Sequence, residues 1–393
     1  MPWKETDRVE QRKNFVHLAL RGEQPMAALC AEFQISRKTG YKWLGRFLEE
    51  GVGGLVDRRS TPKTAYQSTE PATVAAVIEA RQRFPYWGPR KLKAWLERQE
   101  PHGRWPAAST IGELLKRHGL VNPRRKRLRV PPCTQPFLDS DRPNRVWCAD
   151  FKGHFRIREQ YCYPLTMSDS YSRFLLCCQA LPGTRTTRCR PVFESVFREY
   201  GLPERIRTDN GSPFASRSPG GLSRLSVWWI KLGIVPERIE PGKPQQNGRH
   251  ERMHRTLKAQ VTRPPKSSRS AQQRAFNRFR KEYNELRPHE ALDQTPPADH
   301  YQPSSKPYRP PVDPDYPAQF EVRRINASGE SSFRCSPFRV GKALDGELIG
   351  IEAAAEGCWT VWFGPILLGS IFDRGKRRFE FLGHKSINPR IRR

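Results

Sequence analysis

The stretch RTDNGSPF, residues 207–214, places a carboxylate, Asp209, at the end of an apolar run. An Asn-Gly pair after a strand favours a tight hairpin, because both residues tolerate positive φ, and Asp209 would then only cap the turn. A carboxylate at the exposed end of a strand can instead hold a divalent metal ion against a phosphate group. The stretch alone does not decide between a turn and a metal ligand.

A second carboxylate, Asp150, interrupts the otherwise apolar run VWCADF at residues 146–151. An unpaired carboxylate buried in a strand is strongly destabilising, so Asp150 must face a partner, a metal ion or solvent. A lone aspartate in a strand is a structural or exposed residue at least as often as it is a ligand. Asp150 is therefore suggestive of a site without specifying one.

A third carboxylate, Glu251, lies in PGKPQQNGRHERMHRTLK, residues 241–258. The Pro-Gly-Lys-Pro run ends the preceding segment, and a helix is predicted from near Gln245. With about 100° between successive residues, an apolar stripe lies between about 200° and 280° from Glu251 and should face the core. The stripe consists of Met253, Leu257 and Val261.

The face of this helix that carries Glu251 is polar. Its other members, all within about 40° of Glu251, are Asn247, Arg255 and Lys258. A carboxylate beside an amide and two cations could hold a metal ion and a phosphate group. An ordinary amphipathic helix with a weak Glu251–Arg255 ion pair fits the same pattern, so the geometry leaves both interpretations open.

The elements that must position these residues belong to a strongly basic chain. Its 393 residues include 70 Lys and Arg against 40 Asp and Glu, a formal net charge of +30, which predicts a polyanionic partner. No apolar run approaches the about 18 residues of a membrane-spanning helix, and no secretory signal is visible. We therefore expect a cytoplasmic protein with no membrane partner. The densest basic run supplies candidate DNA contacts at Arg124, Arg125, Lys126 and Arg127.

The N-terminal residues 1–55 predict a helix-turn-helix DNA-binding domain. An apolar helix at 26–33 is followed by Ser36, a good N-cap, and by a basic and aromatic second helix. The side chains predicted to read DNA from that second helix are Arg37, Lys38, Tyr41 and Lys42. A plain helical hairpin is the alternative, and the basic second helix on so basic a chain favours DNA binding.

Residues 65–122 predict a second helical domain that could also bind DNA. Thr110 and Glu113 have the spacing of a capping box ahead of an apolar run. Proline and arginine are dense at residues 123–144, which is the composition of a linker.

The central region, residues 145–300, predicts an α/β fold. Three short apolar runs, a helix at 187–200, a strand at 205–209 and two further helices are typical of a mixed sheet covered on both faces. A Pro-rich stretch at 288–317 separates this region from residues 318–393. There, three apolar runs divided by Glu-Gly and Gly-Pro turns predict a small β-barrel with a basic tail.

The cysteines and glycines indicate which cofactors to expect. The nine cysteines form no C-x-x-C pair and several lie in apolar runs, which favours buried free thiols in a reducing compartment. No His and Cys spacing of a zinc finger occurs, so we expect no zinc. No phosphate-cradling glycine loop occurs either, so ATP is not implied.

Four segments together resemble the integrase-core transposases of bacterial insertion sequences, which are related to retroviral integrases. The segments are W147-C-A-D-F151, R207-T-D-N-G-S-P-F214, residues 241–258 and Y283-N-E-L-R-P-H-E-A-L292. Their order and local sequence are far more specific than any single carboxylate. The resemblance covers about residues 140 to 300, and Y86-W-G-P-R-K-L92 matches more loosely.

This resemblance implies an RNase H-like core with a D-D-E metal site. Asp150 would lie on the first strand, Asp209 after the fourth and Glu251 on the following helix, holding two Mg²⁺ or Mn²⁺ ions. The polar neighbours of Glu251 on its helix face would hold the DNA end. The implied activity is nicking of element ends and their transfer to target DNA, by a homo-oligomer bound to double-stranded DNA.

Two departures from the family pattern matter. The interval between Asp209 and Glu251 is long, with residues 216–226 as an apparent inserted loop, so Glu237 and Glu240 become rivals for the third carboxylate. A helix-turn-helix also replaces the zinc-binding N-terminal module of retroviral integrases. Two other functions stay open: a DNA-binding regulator on a core that has lost catalysis, and an RNase H-like nuclease.

Overall fold

The computed structural model describes residues 7–58, 69–121, 140–240, 243–375 and 378–384. It divides into two compact units, Met1–Thr69 and Glu70–Arg393. Within the described residues, no helix is long and apolar enough to cross a membrane. The basic run predicted to contact DNA lies outside the described residues: Arg124, Arg125, Lys126 and Arg127.

The first unit contains the predicted helix-turn-helix. Its helices are α1 (Arg8–Arg21), α2 (Met26–Glu32) and α3 (Arg37–Glu50). Ser36 caps α3, because its Oγ accepts the N–H of Thr39 at 3.2 Å. The helices close around Phe15, Cys30 and Trp43, and Gly40 lets α3 approach them, since a Cβ there would collide with Cys30 and Phe15.

The second unit opens with three helices that pack around Trp87. They are α4 (Pro71–Arg83), α5 (Pro89–Gln99) and α6 (Ala108–Arg117). The predicted capping box at Thr110 is wrong, because α6 begins two residues earlier and places Thr110 inside its first turn. Ala107 precedes the helix and makes no side-chain cap, and Ala108 and Ser109 extend the helix upstream.

A mixed sheet follows. Its strands are β1 (Val146–Phe151), β2 (Phe155–Ile157), β3 (Gln160–Asp169), β4 (Leu175–Leu181), β5 (Arg205–Thr208) and β6 (Val235–Arg238). β1 pairs antiparallel with β3 and parallel with β5, and β5 pairs parallel with β6. β3 also pairs with β4, so the predicted RNase H-like arrangement of strands is present.

Helices cover both faces of this sheet, as predicted. They are α7 (Thr186–Tyr200), α8 (Arg224–Lys231), α9 (Gly248–Leu257) and α10 (Arg269–Lys281). α7 and α8 pack on the face that includes Trp147 and Ala149, whereas α9 and α10 pack on the other face. Because side chains alternate along a strand, Cys148 and Asp150 point toward the α9 face.

The C-terminal region is rich in β-structure. Its strands are β7 (Glu321–Arg324), β8 (Glu330–Phe333), β9 (Ser336–Arg339), β10 (Leu348–Ala355), β11 (Cys358–Phe363), β12 (Ile366–Asp373) and β13 (Phe379–Gly383). Five of them form a sheet in the order β13-β12-β11-β10-β7, and β8 and β9 form a hairpin on the same core. The described strands form no closed sheet, so the predicted small barrel is not shown.

Residues 216–226, predicted as an inserted loop, pack against this C-terminal sheet. Leu222 is buried in the cluster of the C-terminal sheet with Leu368, and the Gly220 N–H donates to the His384 carbonyl at 3.0 Å. The loop prediction is wrong for the last residues, because Ser223 and Ser226 cap each other and begin α8. The segment therefore attaches the central domain to the C-terminal sheet.

Candidate active site

Asp150 and Asp209 are brought together by the pairing of β1 with β5. Cys148 pairs with Arg207 in this parallel ladder, and Asp150 and Asp209 each lie two residues further along. The carboxyl ends of adjacent parallel strands meet at one edge of a sheet, where ligands of α/β folds bind. The register thus places both carboxylates at the same level of that edge.

The stretch around Asp209 combines both of its predicted interpretations. β5 lies between two parallel partners, so residues 207–214 are not the arm of a hairpin. Asp209 nevertheless caps the turn that follows, because its Oδ1 accepts the Gly211 N–H at 3.1 Å. Asn210 holds the turn against the next strand by donating to the Ile239 carbonyl at 2.7 Å. This cap uses one of the two carboxylate oxygens of Asp209.

Helix α9 carries Glu251 over this edge. The predicted apolar stripe is confirmed, and its members are buried against β3, β4 and α10: Met253, Leu257 and Val261. Glu251, Arg255 and Lys258 are exposed. Asn247 differs from its predicted place on the polar face, because it lies before α9, is 4% exposed and has an unpaired Oδ1.

The electrostatics of Asp150 reflect this convergence. Burial and then the negative charge of Asp209 raise the pKa of Asp150 to about 7, and Glu251 adds to the rise. Lys152 opposes it, and burial and the nearby Lys258 in turn lower the pKa of Lys152. Three carboxylates and two lysines therefore interact electrostatically, although they come from β1, from α9 and from the residues that directly follow β1, β5 and α9.

The residues present fit a divalent metal ion by their donor chemistry. Carboxylate oxygens are the ligands that Mg²⁺ and Mn²⁺ prefer, and a bound cation would relieve the repulsion that raises the pKa of Asp150. Within the part of the chain that the structure describes, no group of three or more His, Cys, Asp or Glu side chains is arranged to hold a metal ion, so the fit is one of ligand type.

The two rival glutamates are engaged elsewhere. Glu237 is buried on β6 and pairs with Arg207 at 2.5 Å and with Arg205 at 4.0 Å. Glu240 pairs with Lys243 at 2.5 Å and accepts a hydrogen bond from Gln246 at 3.2 Å. Both therefore have cationic or amide partners that a metal ion would have to displace.

Sequence reasoning missed two buried histidines on α9, His250 and His254. His250 is 1% exposed and His254 5% exposed, and burial lowers the pKa of His250 to about 3 and that of His254 as well. The helical projection contains the signal, since His250 falls at about 260° and His254 at about 300° from Glu251, within and beside the apolar stripe. Polar residues on a core face require polar partners from the sheet.

The four predicted reading residues of the first unit, Arg37, Lys38, Tyr41 and Lys42, are all exposed along α3. Tyr41 is 59% exposed, which is unusual for a large aromatic side chain and leaves it accessible to a ligand. Their contact with DNA stays a prediction.

The loosely matching segment at residues 86–92 packs against the last matching segment, residues 283–292. Lys91 donates from Nζ to the Pro288 carbonyl, and Arg90 pairs with Glu290 at 3.1 Å. Burial and the neighbouring Arg287 lower the pKa of Lys91 to about 7. The helices that precede the core are thereby attached to its last turn.

Family models match five parts of the chain. Integrase core domain models match residues 140–244 and 232–297, a helix-turn-helix domain matches 11–63, and a homeodomain-like domain matches 39–115. The C-terminal domain of IS481 family transposases matches residues 320–378.

Individual proteins are similar over longer spans than any one of these models. The 31.7 kDa protein of insertion element IS407 from Burkholderia multivorans is 28% identical over 230 residues, 58% of this chain and 79% of that protein. The Gag-Pol polyprotein of baboon endogenous virus is 30% identical over 197 residues, which is 48% of this chain and 10% of the polyprotein. The HTLV-2 integrase catalytic core domain in complex with magnesium aligns with 42% of this chain and 100% of that chain, at 16% identity and a TM-score of 0.34. The family matches confirm the resemblance predicted from the sequence.

Proposed function

We propose that this chain, in which an integrase core follows helix-turn-helix domains, nicks the ends of a mobile DNA element and joins them to target DNA. The observation that supports this most is the electrostatic coupling of Asp150 on β1 to Asp209, just after β5, and to Glu251 on α9. A carboxylate whose pKa is raised to about 7 by burial and by two neighbouring carboxylates is poorly suited to a structural role alone.

The three carboxylates would be the residues that hold two Mg²⁺ or Mn²⁺ ions. Ions bound there would neutralise charge on the phosphoryl group and activate an oxygen nucleophile. The chain's own task is then positioning. Lys258 and Arg255, exposed beside Glu251, and Lys152, close to Asp150, would hold the phosphates of the DNA end.

Nicking and joining differ only in the nucleophile. Water attacking a phosphodiester leaves a free 3′ hydroxyl, and that hydroxyl attacking a second phosphodiester joins the strands and releases the 3′ oxygen of the target. Neither step requires a covalent bond to the protein. The helix-turn-helix, through Arg37, Lys38, Tyr41 and Lys42, would select the element ends.

The test uses the full chain with duplexes from the flanks of its own genomic copy and Mg²⁺, and measures nicks at 3′ ends and joined products. Glu251→Gln is nearly isosteric and one charge poorer, so it should abolish both reactions and leave folding and end binding intact. Glu240→Gln is the matched control and should stay active, because Glu240 already pairs with Lys243.

Two outcomes would contradict the proposal. Joining at near the parent rate by Glu251→Gln, together with loss of joining by Glu240→Gln, would show that the third carboxylate is misassigned. End binding by the parent chain with neither nicking nor joining would favour the DNA-binding regulator instead.

A further inference from the structure

Thr166 lies at the centre of a buried polar network behind Asp150. It is the direct cross-strand partner of Asp150 in the β1–β3 ladder, so both side chains point to the α9 face. Its Oγ1 lies 3.0 Å from the Asp150 carbonyl, 2.8 Å from Nε2 of His250 and 2.7 Å from Nε2 of His254. Three polar atoms from two elements therefore share one hydroxyl group.

The hydrogens of this network have one assignment that satisfies every contact. A threonine hydroxyl has one proton and two lone pairs, and a carbonyl can only accept, so Thr166 donates to the Asp150 carbonyl. Both histidines must then donate to Thr166 from Nε2. In a neutral imidazole that leaves Nδ1 as an acceptor on His250 and on His254 alike.

The two Nδ1 atoms have different surroundings. Nδ1 of His250 lies 2.7 Å from the Ser168 hydroxyl, which can donate to it. Nδ1 of His254 lies 3.8 Å from Oδ2 of Asp150. An acceptor nitrogen thus lies close to a carboxylate oxygen, and two such acceptors repel unless a proton or a cation lies between them.

We propose that Nδ1 of His254 is a nitrogen ligand of the divalent ion held by Asp150. This inference rests on the proposed function and names a ligand beyond its three carboxylates. Two atoms that each lie about 2.1 Å from one ion are between about 3 and 4.2 Å apart, a range that includes the 3.8 Å separation of Nδ1 and Oδ2. Thr166 fixes the tautomer of His254, as partners of metal-bound histidines commonly do.

A nitrogen ligand changes which ion the site prefers. Sites with only oxygen ligands suit Mg²⁺, whereas imidazole favours the later divalent metals, so His254 should shift the preference toward Mn²⁺. His250 provides a matched control. It shares Thr166 and the same helix, but Ser168 occupies its Nδ1.

The experiment is pulsed EPR of Mn²⁺ bound to the full chain without DNA. The parent should show modulation from a directly bound imidazole ¹⁴N, which should be lost in His254→Asn and retained in His250→Asn. Competition between the two ions, followed by thermal stabilisation, should show that His254→Asn lowers the Mn²⁺ to Mg²⁺ affinity ratio by about tenfold.

The signal in the parent decides the proposal without relying on the folding of any variant. Bound Mn²⁺ with no directly bound nitrogen would overturn the role of His254, and loss of that binding in Asp209→Asn would show that the carboxylate site itself stands. No Mn²⁺ binding to the parent would overturn both the ligand and the proposed metal site. Nitrogen modulation that survives in His254→Asn and disappears in His250→Asn would reassign the ligand and contradict the tautomers.

Discussion

Replacing Asp150 by Asn should make the metal-free protein more stable, although it removes a residue proposed to be essential. Burial and the charges of Asp209 and Glu251 raise the pKa of Asp150 from 3.8 to about 7. At about 1.4 kcal/mol for each tenfold change in proton affinity, ionising Asp150 in the folded state costs at most about 4 kcal/mol more than in the unfolded chain. Asparagine removes that charge and keeps nearly the same shape.

The stability gained by Asp150→Asn must increase with pH. From about pH 4 to about pH 7 the folded protein keeps a proton on Asp150 that the unfolded chain has lost, so the parent loses stability as the pH rises. The advantage of Asp150→Asn should therefore be small near pH 4 and reach its full value, up to about 4 kcal/mol, above about pH 7. A shift of several degrees in the melting temperature is expected at pH 8.

Thermal unfolding of the full chain in EDTA, followed by tryptophan fluorescence at pH 5 and pH 8, measures this difference. Adding Mn²⁺ should stabilise the parent and leave Asp150→Asn unchanged, since only the parent keeps the Asp150 carboxylate. Equal melting temperatures of the two proteins in EDTA at pH 8, or equal stabilisation by Mn²⁺, would refute the reasoning.

Asp169 provides the control for this prediction. It is also buried in the sheet, and burial raises its pKa. Its carboxylate, however, accepts hydrogen bonds from the Asn144 and Ser172 N–H groups, both at 2.8 Å, and from the Ser172 hydroxyl at 2.7 Å. Asp169→Asn should therefore destabilise the protein at pH 8, because an amide cannot accept all of these bonds.

Three further predictions concern the flanking regions. Replacing Arg37 and Lys42 by Ala should reduce the preference for element ends over random duplex in a competition binding assay, and unchanged selectivity would remove the reading role of α3. Neutralising the three arginines within residues 124–127 should weaken binding to all DNA and lower the slope of log affinity against log salt by up to about three, whereas an unchanged slope would show that the run contacts no phosphate. Leu222→Asp should expose the C-terminal region to limited proteolysis, because it places a charge in that region's core. Val312→Asp, at a position 70% exposed, should leave the digestion pattern unchanged, and similar digestion of both variants would argue against a docking role for residues 216–226.

The sequence predicted the central fold wherever burial controls the pattern. The apolar run at residues 146–151 coincides with β1, and the helix expected at 187–200 is α7 with one extra residue. Strands buried on both faces are continuous apolar runs, and such runs are recognisable without a structure. Asp150 is recognisable for the same reason, because it is the charged exception within the apolar run of β1.

The elements that the sequence did not predict lack a continuous apolar run or a clear helical pattern. β2 has three residues, and β13 alternates half-buried and exposed positions without a fully buried one. α8 begins after a run of Gly, Pro and Ser, a composition that predicts a loop. Its helical form is stabilised by buried residues that pack against α7 and the sheet: Leu225, Trp228 and Trp229. Tertiary contacts, which a local pattern does not contain, decided the structure there.

The long interval between Asp209 and Glu251 made the third carboxylate the least secure prediction, and the fold explains why the length need not displace it. The extra residues leave the sheet after Asp209, pack Leu222 against the C-terminal core and return through α8 to β6. β6 pairs with β5 in register, with Thr208 opposite Arg238, so the chain is back at the same edge of the sheet before α9 begins. Met253 and Leu257 then fix α9 on that face. An insertion between β5 and β6 changes the spacing in sequence, but β6 returns the chain to the edge where β5 ends, so the interval gives no reason to prefer Glu237, which already pairs with Arg207.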